Sequence, residues 1–140
     1  MTVLYSAEMA GLAAVPVSLP SGGVVDGNVR VKRSTITLAT QTTSDTIVIA
    51  KAQEGESFLY GVLTASATLG ASATVAIGVT GTTGKYRAAA TFTAANTPTL
   101  FGTAAGAVTL AAEEEVFITI GSASLPGSGT LVVDMYYSAT

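Results

Sequence analysis

Histidine and cysteine, the side chains behind much small-enzyme chemistry, are both missing from this sequence, as is tryptophan. Without cysteine there is no disulfide, no thiolate nucleophile and no thiolate metal site. Without histidine, a serine or threonine nucleophile needs a lysine as its base, and the chain contains no Ser-x-x-Lys pair. We therefore predict that the protein is not an enzyme and that it has no catalytic site, no cofactor and no metal ion.

Charge is also scarce, at 11% of the 140 residues compared with about 25% in an average soluble domain. Six basic and nine acidic residues give no basic footprint for nucleic acid, and no apolar run approaches the roughly 20 residues that cross a bilayer. We expect neither a direct nucleic-acid partner nor a membrane partner. A surface so poor in charge is instead expected to be covered by other proteins.

Alanine (24 residues) and threonine (22) together make about a third of the chain. With 49% hydrophobic residues and a net charge of −3, the sequence is typical of a folded chain and not of a disordered one. Its length suits one domain with one core.

Strand-like alternation runs through the chain from Val29 onward. Apolar, often β-branched residues recur at every second position, as in Val75, Ile77 and Val79, and glycine or proline ends most of the runs. No stretch has a long helical period. We predict one all-β domain over residues 29–140, a single jelly roll or β-sandwich of about eight antiparallel strands, with a compact barrel as the alternative.

Two segments depart from the simple pattern of one apolar and one polar face. Residues 85–110 contain an alternation typical of a strand, but Ala88–Ala90 suits a helical turn equally. The run Phe58–Ala65 is apolar on both of its alternating faces, which predicts a strand buried on both sides.

Residues 1–28 differ in composition from the rest and are predicted to form an extended N-terminal arm. Pro16 and Pro20 cannot donate to a strand ladder, and the glycines after them indicate turns. We expect the arm to lie across a neighbouring molecule, with a frayed terminus as the alternative. Its candidate partner-contact residues are Leu4, Tyr5, Met9, Leu12 and Val17.

Charged clusters give two further expectations. Glu113–Glu115 is unsuited to metal binding because adjacent strand residues point to opposite faces, and it is interpreted as a solvated turn that guards a sheet edge. Arg30, Lys32 and Arg33 form the one basic cluster, which either docks on an acidic patch of a partner or protects an edge strand. Tyr136 is a further candidate contact, with burial in the core as the equal alternative.

The order of segments over about the last 100 residues resembles the jelly-roll cement or decoration proteins of tailed bacteriophage capsids. The resemblance lies in Asp45–Ile49, Tyr60–Leu63, Thr68–Gly78, Lys85–Ala90 and Gly129–Tyr137. It implies a virion structural protein that binds the outer surface of an assembled capsid, bridges major capsid protein subunits and stabilises the shell. The implied partners are the major capsid protein and the chain itself, with a homodimer favoured over a trimer.

The expected location is the capsid surface of the virion. No lysine or arginine precedes Arg30, which makes a signal peptide improbable, so we expect synthesis in the host cytoplasm. Two alternatives stay open from the sequence: a carbohydrate-binding or fibre-type adhesion module, and a tail-tube or pilin-like subunit that assembles into filaments.

Overall fold

The computed structural model describes residues 2, 4, 6, 9–19, 22, 25 and 27–139, and of Ala13 only the backbone. Within this part of the chain lie one turn of 3-10 helix at Ala10–Ala13 and eight strands: β1 (Asn28–Thr37), β2 (Thr46–Ala52), β3 (Ser57–Ala65), β4 (Thr74–Val79), β5 (Thr82–Thr91), β6 (Thr99–Phe101), β7 (Glu114–Gly121) and β8 (Thr130–Ala139). None of the helical structure in the described residues is long and apolar enough to cross a membrane.

The strands form two four-stranded antiparallel sheets. The first sheet has the order β1-β8-β3-β6 and the second the order β2-β7-β4-β5. The chain changes sheet at every connection except the tight β4–β5 hairpin, where Gly81 adopts a φ of 83° that favours glycine. This is the jelly-roll arrangement, so the predicted fold class is confirmed.

The core between the sheets is built by the period-two pattern. On β7, Val116, Ile118 and Ile120 point inward and are at most 1% exposed. On β8 the inward set is Leu131, Val133, Met135 and Tyr137. Successive side chains of a strand leave opposite faces, so each of these strands buries one set and turns the other outward.

An aromatic cluster fills one end of this core. The ring of Phe58 meets Tyr86 edge-on at 4.6 Å between centroids and Tyr137 at 5.6 Å, and it stacks on Phe101 at 6.3 Å. Gly61 faces Phe101 across β3 and β6, and a Cβ there would lie 2.1 Å from Cζ of that ring. Glycine is therefore required here for close packing of the ring on the strand.

The prediction that Phe58–Ala65 is buried on both faces is wrong. The ladder between β3 and β8 shifts register between Phe58 and Tyr60, so Leu59 is an extra, unpaired residue. Phe58 then points into the core while Tyr60 points outward and is 41% exposed. One face of β3 is open to solvent.

The interpretation of Glu113–Glu115 as the guard of a sheet edge is also wrong, because β7 lies between β2 and β4. Glu113 pairs instead with Lys51 at 2.9 Å, and Glu114 with Lys85 at 2.6 Å. The ambiguous segment that follows Lys85 continues as strand β5, which pairs with β4.

Candidate functional site: an apolar outer face

The outward-facing side chains of the first sheet form a surface rich in apolar and aromatic groups, which we call the tyrosine face. It comprises Val29, Val31 and Arg33 from β1, Val132, Asp134 and Tyr136 from β8, Tyr60 and Val62 from β3, and Leu100 from β6. Their registers place them in rows across the sheet, such as Val31, Tyr136 and Tyr60. Since β1 pairs with β8 over ten residues without a shift, the rows are regular.

Two stacked tyrosines lie near the middle of the tyrosine face. The rings of Tyr60 and Tyr136 are 4.6 Å apart between centroids and inclined by 15°. Cross-strand aromatic pairs of this kind stabilise a sheet by several tenths of a kcal/mol up to about 1 kcal/mol. The stack also fixes both side chains in place, so a partner does not have to order them on binding.

The tyrosine face contains one ion pair. Arg33 donates from Nε and Nη2 to the two carboxylate oxygens of Asp134, both at 2.7 Å. This two-point hydrogen bond raises the pKa of Arg33. The Asp134 side chain is 9% exposed, so the carboxylate is already largely removed from water.

The inward side of the same strands carries a different set of polar groups. Lys32 points to that side and donates to Glu56 at 3.2 Å, and Glu56 also accepts from the backbone amide of Gln53. Across the sandwich, Lys85 and the hydroxyl of Tyr86 both donate to Glu114. These ion pairs and hydrogen bonds join residues of the same chain, which indicates a structural role.

The second sheet offers no comparable surface. Among the described residues, five of the six large hydrophobic side chains exposed on strands belong to the first sheet, and Val48 is the one in the second. Outward positions of β4 hold Thr74, Ala76 and Gly78. Phe117 of β7 also points outward beside Val48 and is half-buried, so the apolar surface is larger on the first sheet but is not confined to it.

One open pocket of about 450 Å³ lies beside the start of β3. Residues 57–59, residues 107–109 and Ser138 line it. The lining contains hydroxyl groups but no carboxylate, amine or guanidinium, and it therefore has no general base to activate them. Within the described part of the chain, no three acidic side chains are grouped so that they can hold a metal ion.

The structure distributes the predicted contact residues over four places. Arg33 and Tyr136 belong to the tyrosine face, Arg30 is exposed near the start of β1, and Lys32 is turned inward toward Glu56. In the N-terminal segment Leu4 is 86% exposed, Leu12 40% and Val17 62%, while Met9 is half-buried beside the 3-10 helix. Tyr5 lies outside the described residues.

Sequence reasoning missed several members of the tyrosine face. Asp134 was recognisable because it alternates with the buried residues of β8, on the same side as Tyr136. A period of two places Tyr60 on the same side as Phe58, and the extra residue Leu59 puts the two side chains on opposite sides. The sequence does not indicate that Val31 and Leu100 are exposed, because nothing in it shows which side of an edge strand is uncovered.

Comparisons with known proteins give matches of structure only. No protein-family model matches the sequence, and no curated protein matches it. A chain in the capsid asymmetric unit of cyanophage Pam1 has a TM-score of 0.68 at 20% identity, over 81% of this chain and 86% of that one.

Two further phage capsid structures contain a similar chain. For the capsid of Ralstonia phage GP4 the TM-score is 0.64 at 16% identity, over 81% of this chain and 86% of that chain. For the acid-stable capsid of Helicobacter pylori bacteriophage KHP30 the TM-score is 0.60 at 11% identity, over 79% of this chain and 86% of that chain. At these identities the similarity is one of fold: this chain has a jelly roll like those found in three phage capsid structures.

Proposed function

We propose that this chain is a structural protein of a phage virion that binds the outside of the capsid and bridges major capsid protein subunits. The observation that carries the proposal is the fold shared with chains of three phage capsid structures over about four-fifths of this chain. The finer assignment, to the cement or decoration proteins, rests on the sequence resemblance. In its length and its N-terminal arm the chain also resembles the cement protein of a Bordetella podovirus.

The surface supports a role in assembly. Exposed apolar side chains occur both on the tyrosine face and in the N-terminal segment, where Val15 is 99% and Leu19 82% exposed. Contiguous apolar surface on a protein typically marks a contact with another molecule. Repeated contacts around a shell add up, so a modest affinity at each site suffices to hold the subunits together.

The N-terminal segment is proposed as the anchor to the capsid. The backbone hydrogen bonds of its described residues are local, such as the one from the Ser18 N–H to the Gly11 carbonyl, and none of them joins the segment to a strand. Residues 1–28 contain two acidic residues and no basic one. A mainly apolar arm of this kind gains most from burial in a groove on a neighbouring subunit.

Removal of the residues before Asn28 tests this proposal. Phage particles without this protein are mixed with either the full-length or the truncated chain. We expect much less of the truncated protein to sediment with the particles, while the melting temperature of the domain changes little. A triple substitution, Val15→Ser, Val17→Ser and Leu19→Ser, keeps the length of the arm and should weaken binding in the same way. Equal loss of binding and of melting temperature would contradict the anchoring role.

The carbohydrate-binding alternative receives less support. Sugar rings stack on open aromatic faces, whereas Tyr60 and Tyr136 each cover one face of the other. Reproducible binding on a glycan array, without sedimentation on phage particles, would favour that alternative over a capsid protein.

A further inference from the structure

We propose that the free edge of β1 binds an extended, acidic segment of another protein, which adds to the first sheet as a further strand. The part of the edge concerned is Asn28–Arg33. Recognition at this edge goes beyond the proposed capsid role and does not depend on it.

Three of the four edge strands are protected against pairing with another chain. β6 has only three residues, and Pro98 precedes it. The ladder between β5 and β4 shifts register twice, and the guanidinium of Arg87 donates to two carbonyl oxygens near the end of β5. β2 is bulged at Ile49, whose carbonyl oxygen accepts from the hydroxyl of Ser34. Short, bulged or covered edges are the usual devices that prevent strands of different molecules from pairing.

The fourth edge strand, β1, has none of these devices. Its ten residues contain no proline and pair with β8 without a register shift. Within the described part of the chain, no backbone hydrogen bond outside that ladder begins or ends at positions 28–36, and the hydroxyl of Ser34 makes the hydrogen bond to β2. About every second N–H and C=O group of Asn28–Arg33 therefore points away from β8 toward solvent. This free edge is about 20 Å long.

The charges on β1 fit an acidic partner. Lys32 is neutralised by Glu56. Arg33 is neutralised in the same way by Asp134. Arg30 is exposed and is the one basic residue for which the described part of the chain provides no acceptor. The inward position of Lys32 would oppose an added strand if its charge were unpaired, but the pair with Glu56 removes that obstacle.

The side chains of the free edge define the chemistry of the added strand. Val29 and Val31 point to the outer face and are 60% and 53% exposed. Arg30 lies on the other face, in register with Tyr137. A matching strand has β-branched residues on one face and a carboxylate on the other, because cross-strand pairs of these kinds are favourable. A second copy of β1 fits less well, because a continuous sheet around a two-fold axis centred on this edge places Arg30 beside Arg30 or Lys32 of the other copy.

Two blocked peptides test the proposal with the full-length protein. One has the sequence Thr-Val-Glu-Thr-Glu-Val-Thr, and the other has lysine in place of both glutamates. In an NMR titration we expect the lysine peptide to bind about tenfold more weakly than the acidic one, because favourable cross-strand charge pairs become like-charge pairs. Hydrogen exchange should slow at about every second amide of Asn28–Arg33 when the acidic peptide is bound, because new ladder hydrogen bonds form there.

Substitution of Arg30 by glutamate should reverse the preference between the two peptides. Arg30 is exposed, so Arg30→Glu is expected to leave the fold intact, and circular dichroism checks this. Lys51→Glu is the matched control. It changes the net charge by the same amount, but Lys51 lies on β2 at the edge of the second sheet. The control should keep the preference of the wild type for the acidic peptide.

Four results would overturn the proposal: no binding of the acidic peptide at about 1 mM, equal binding of the two peptides, an unchanged preference in Arg30→Glu, or a reversed preference in Lys51→Glu. Slower amide exchange along β1 on concentration of the wild-type protein alone would also overturn it, because a second copy would then occupy the edge. None of these measurements involves phage particles. Failure of the edge to bind the peptide therefore leaves the proposed function standing.

Discussion

Adjacent tyrosines on β8 have opposite roles. Tyr137 is fully buried in the aromatic cluster, whereas Tyr136 is on the outer surface against Tyr60. The alternation of a strand predicts that the two residues point to opposite sides, and this is confirmed. Asp134 indicates which of them is buried, because its charge favours an outward position for its own side of β8 and therefore for Tyr136.

Burial of the aromatic cluster changes the acidity of its hydroxyl groups. It raises the pKa of Tyr137 to about 12. It raises the pKa of Tyr86 as well, with a further contribution from the hydrogen bond to Glu114. In both cases burial is the largest cause, because a phenolate is poorly solvated between the sheets.

The folded protein should therefore lose stability in alkaline solution. An unfolded chain releases its tyrosine protons near pH 10, while Tyr137 in the fold keeps its proton until about pH 12. The free energy of unfolding is unaffected by Tyr137 below pH 10 and falls between pH 10 and 12, by about 2 to 3 kcal/mol for this residue. Urea denaturation at a series of pH values measures the slope.

Tyr137→Phe should reduce that slope because the substituted residue has no proton to release, and the slope that remains is expected from Tyr86, whose pKa burial also raises. Tyr60→Phe removes a hydroxyl from an exposed tyrosine and serves as the control. Identical slopes for Tyr137→Phe and the wild type would show that burial of Tyr137 does not couple folding to pH.

At the scale of elements, the strands with clean alternation were the ones the sequence predicted well. β4 coincides with the predicted alternation of Val75, Ile77 and Val79, and the same alternation runs through β7 and β8, with glycine or proline between the strands as expected. β5 was ambiguous because its alanines tolerate a helix. Arg87 resolves the ambiguity, since its guanidinium donates to the carbonyl oxygens of Val75, Ala90 and Thr91 and so ties β5 to β4.

The bulge in β3 explains why the face of that strand was assigned wrongly. A simple period of two places Phe58 and Tyr60 on the same side, and one inserted residue reverses the assignment. Such an insertion leaves no mark in the apolar pattern, because Leu59 is as apolar as its neighbours. The contribution of β3 to the tyrosine face could therefore not be recognised from the sequence.

Deletion of Leu59 is predicted to be tolerated. Phe58 pairs with Tyr137 and Tyr60 pairs with Tyr136, so removing the residue between them leaves a regular ladder. We expect a folded protein that is destabilised by no more than about 1 to 2 kcal/mol in chemical denaturation.

Deletion of Val62 is the matched comparison, because that residue is paired within the regular part of β3. Its loss shifts the residues before or after the deletion by one position in the ladder, and this turns their inward side chains outward. We expect that variant not to fold. Similar stabilities for the two deletions would contradict the assignment of Leu59 as the extra residue.

At the scale of the molecule, the scarcity of charge is the property that connects sequence and function. It predicted a protein that works through contacts, and the eight-stranded jelly roll leaves one sheet with an uncovered apolar face. The location of that face follows from strand order and from one bulge, both of which are set by tertiary pairing. The sequence therefore predicted the fold class, whereas the apolar outer face becomes apparent only from the pairing of the strands.

The central claim is that many copies of this chain are fixed on the outside of a phage capsid. Electron cryomicroscopy of phage particles that contain this chain tests this claim most directly. We predict density for the two four-stranded sheets at repeated, symmetry-related positions on the outer surface, spanning joints between major capsid protein subunits. Absence of this density from the shell, or its presence only in the tail, would contradict the account.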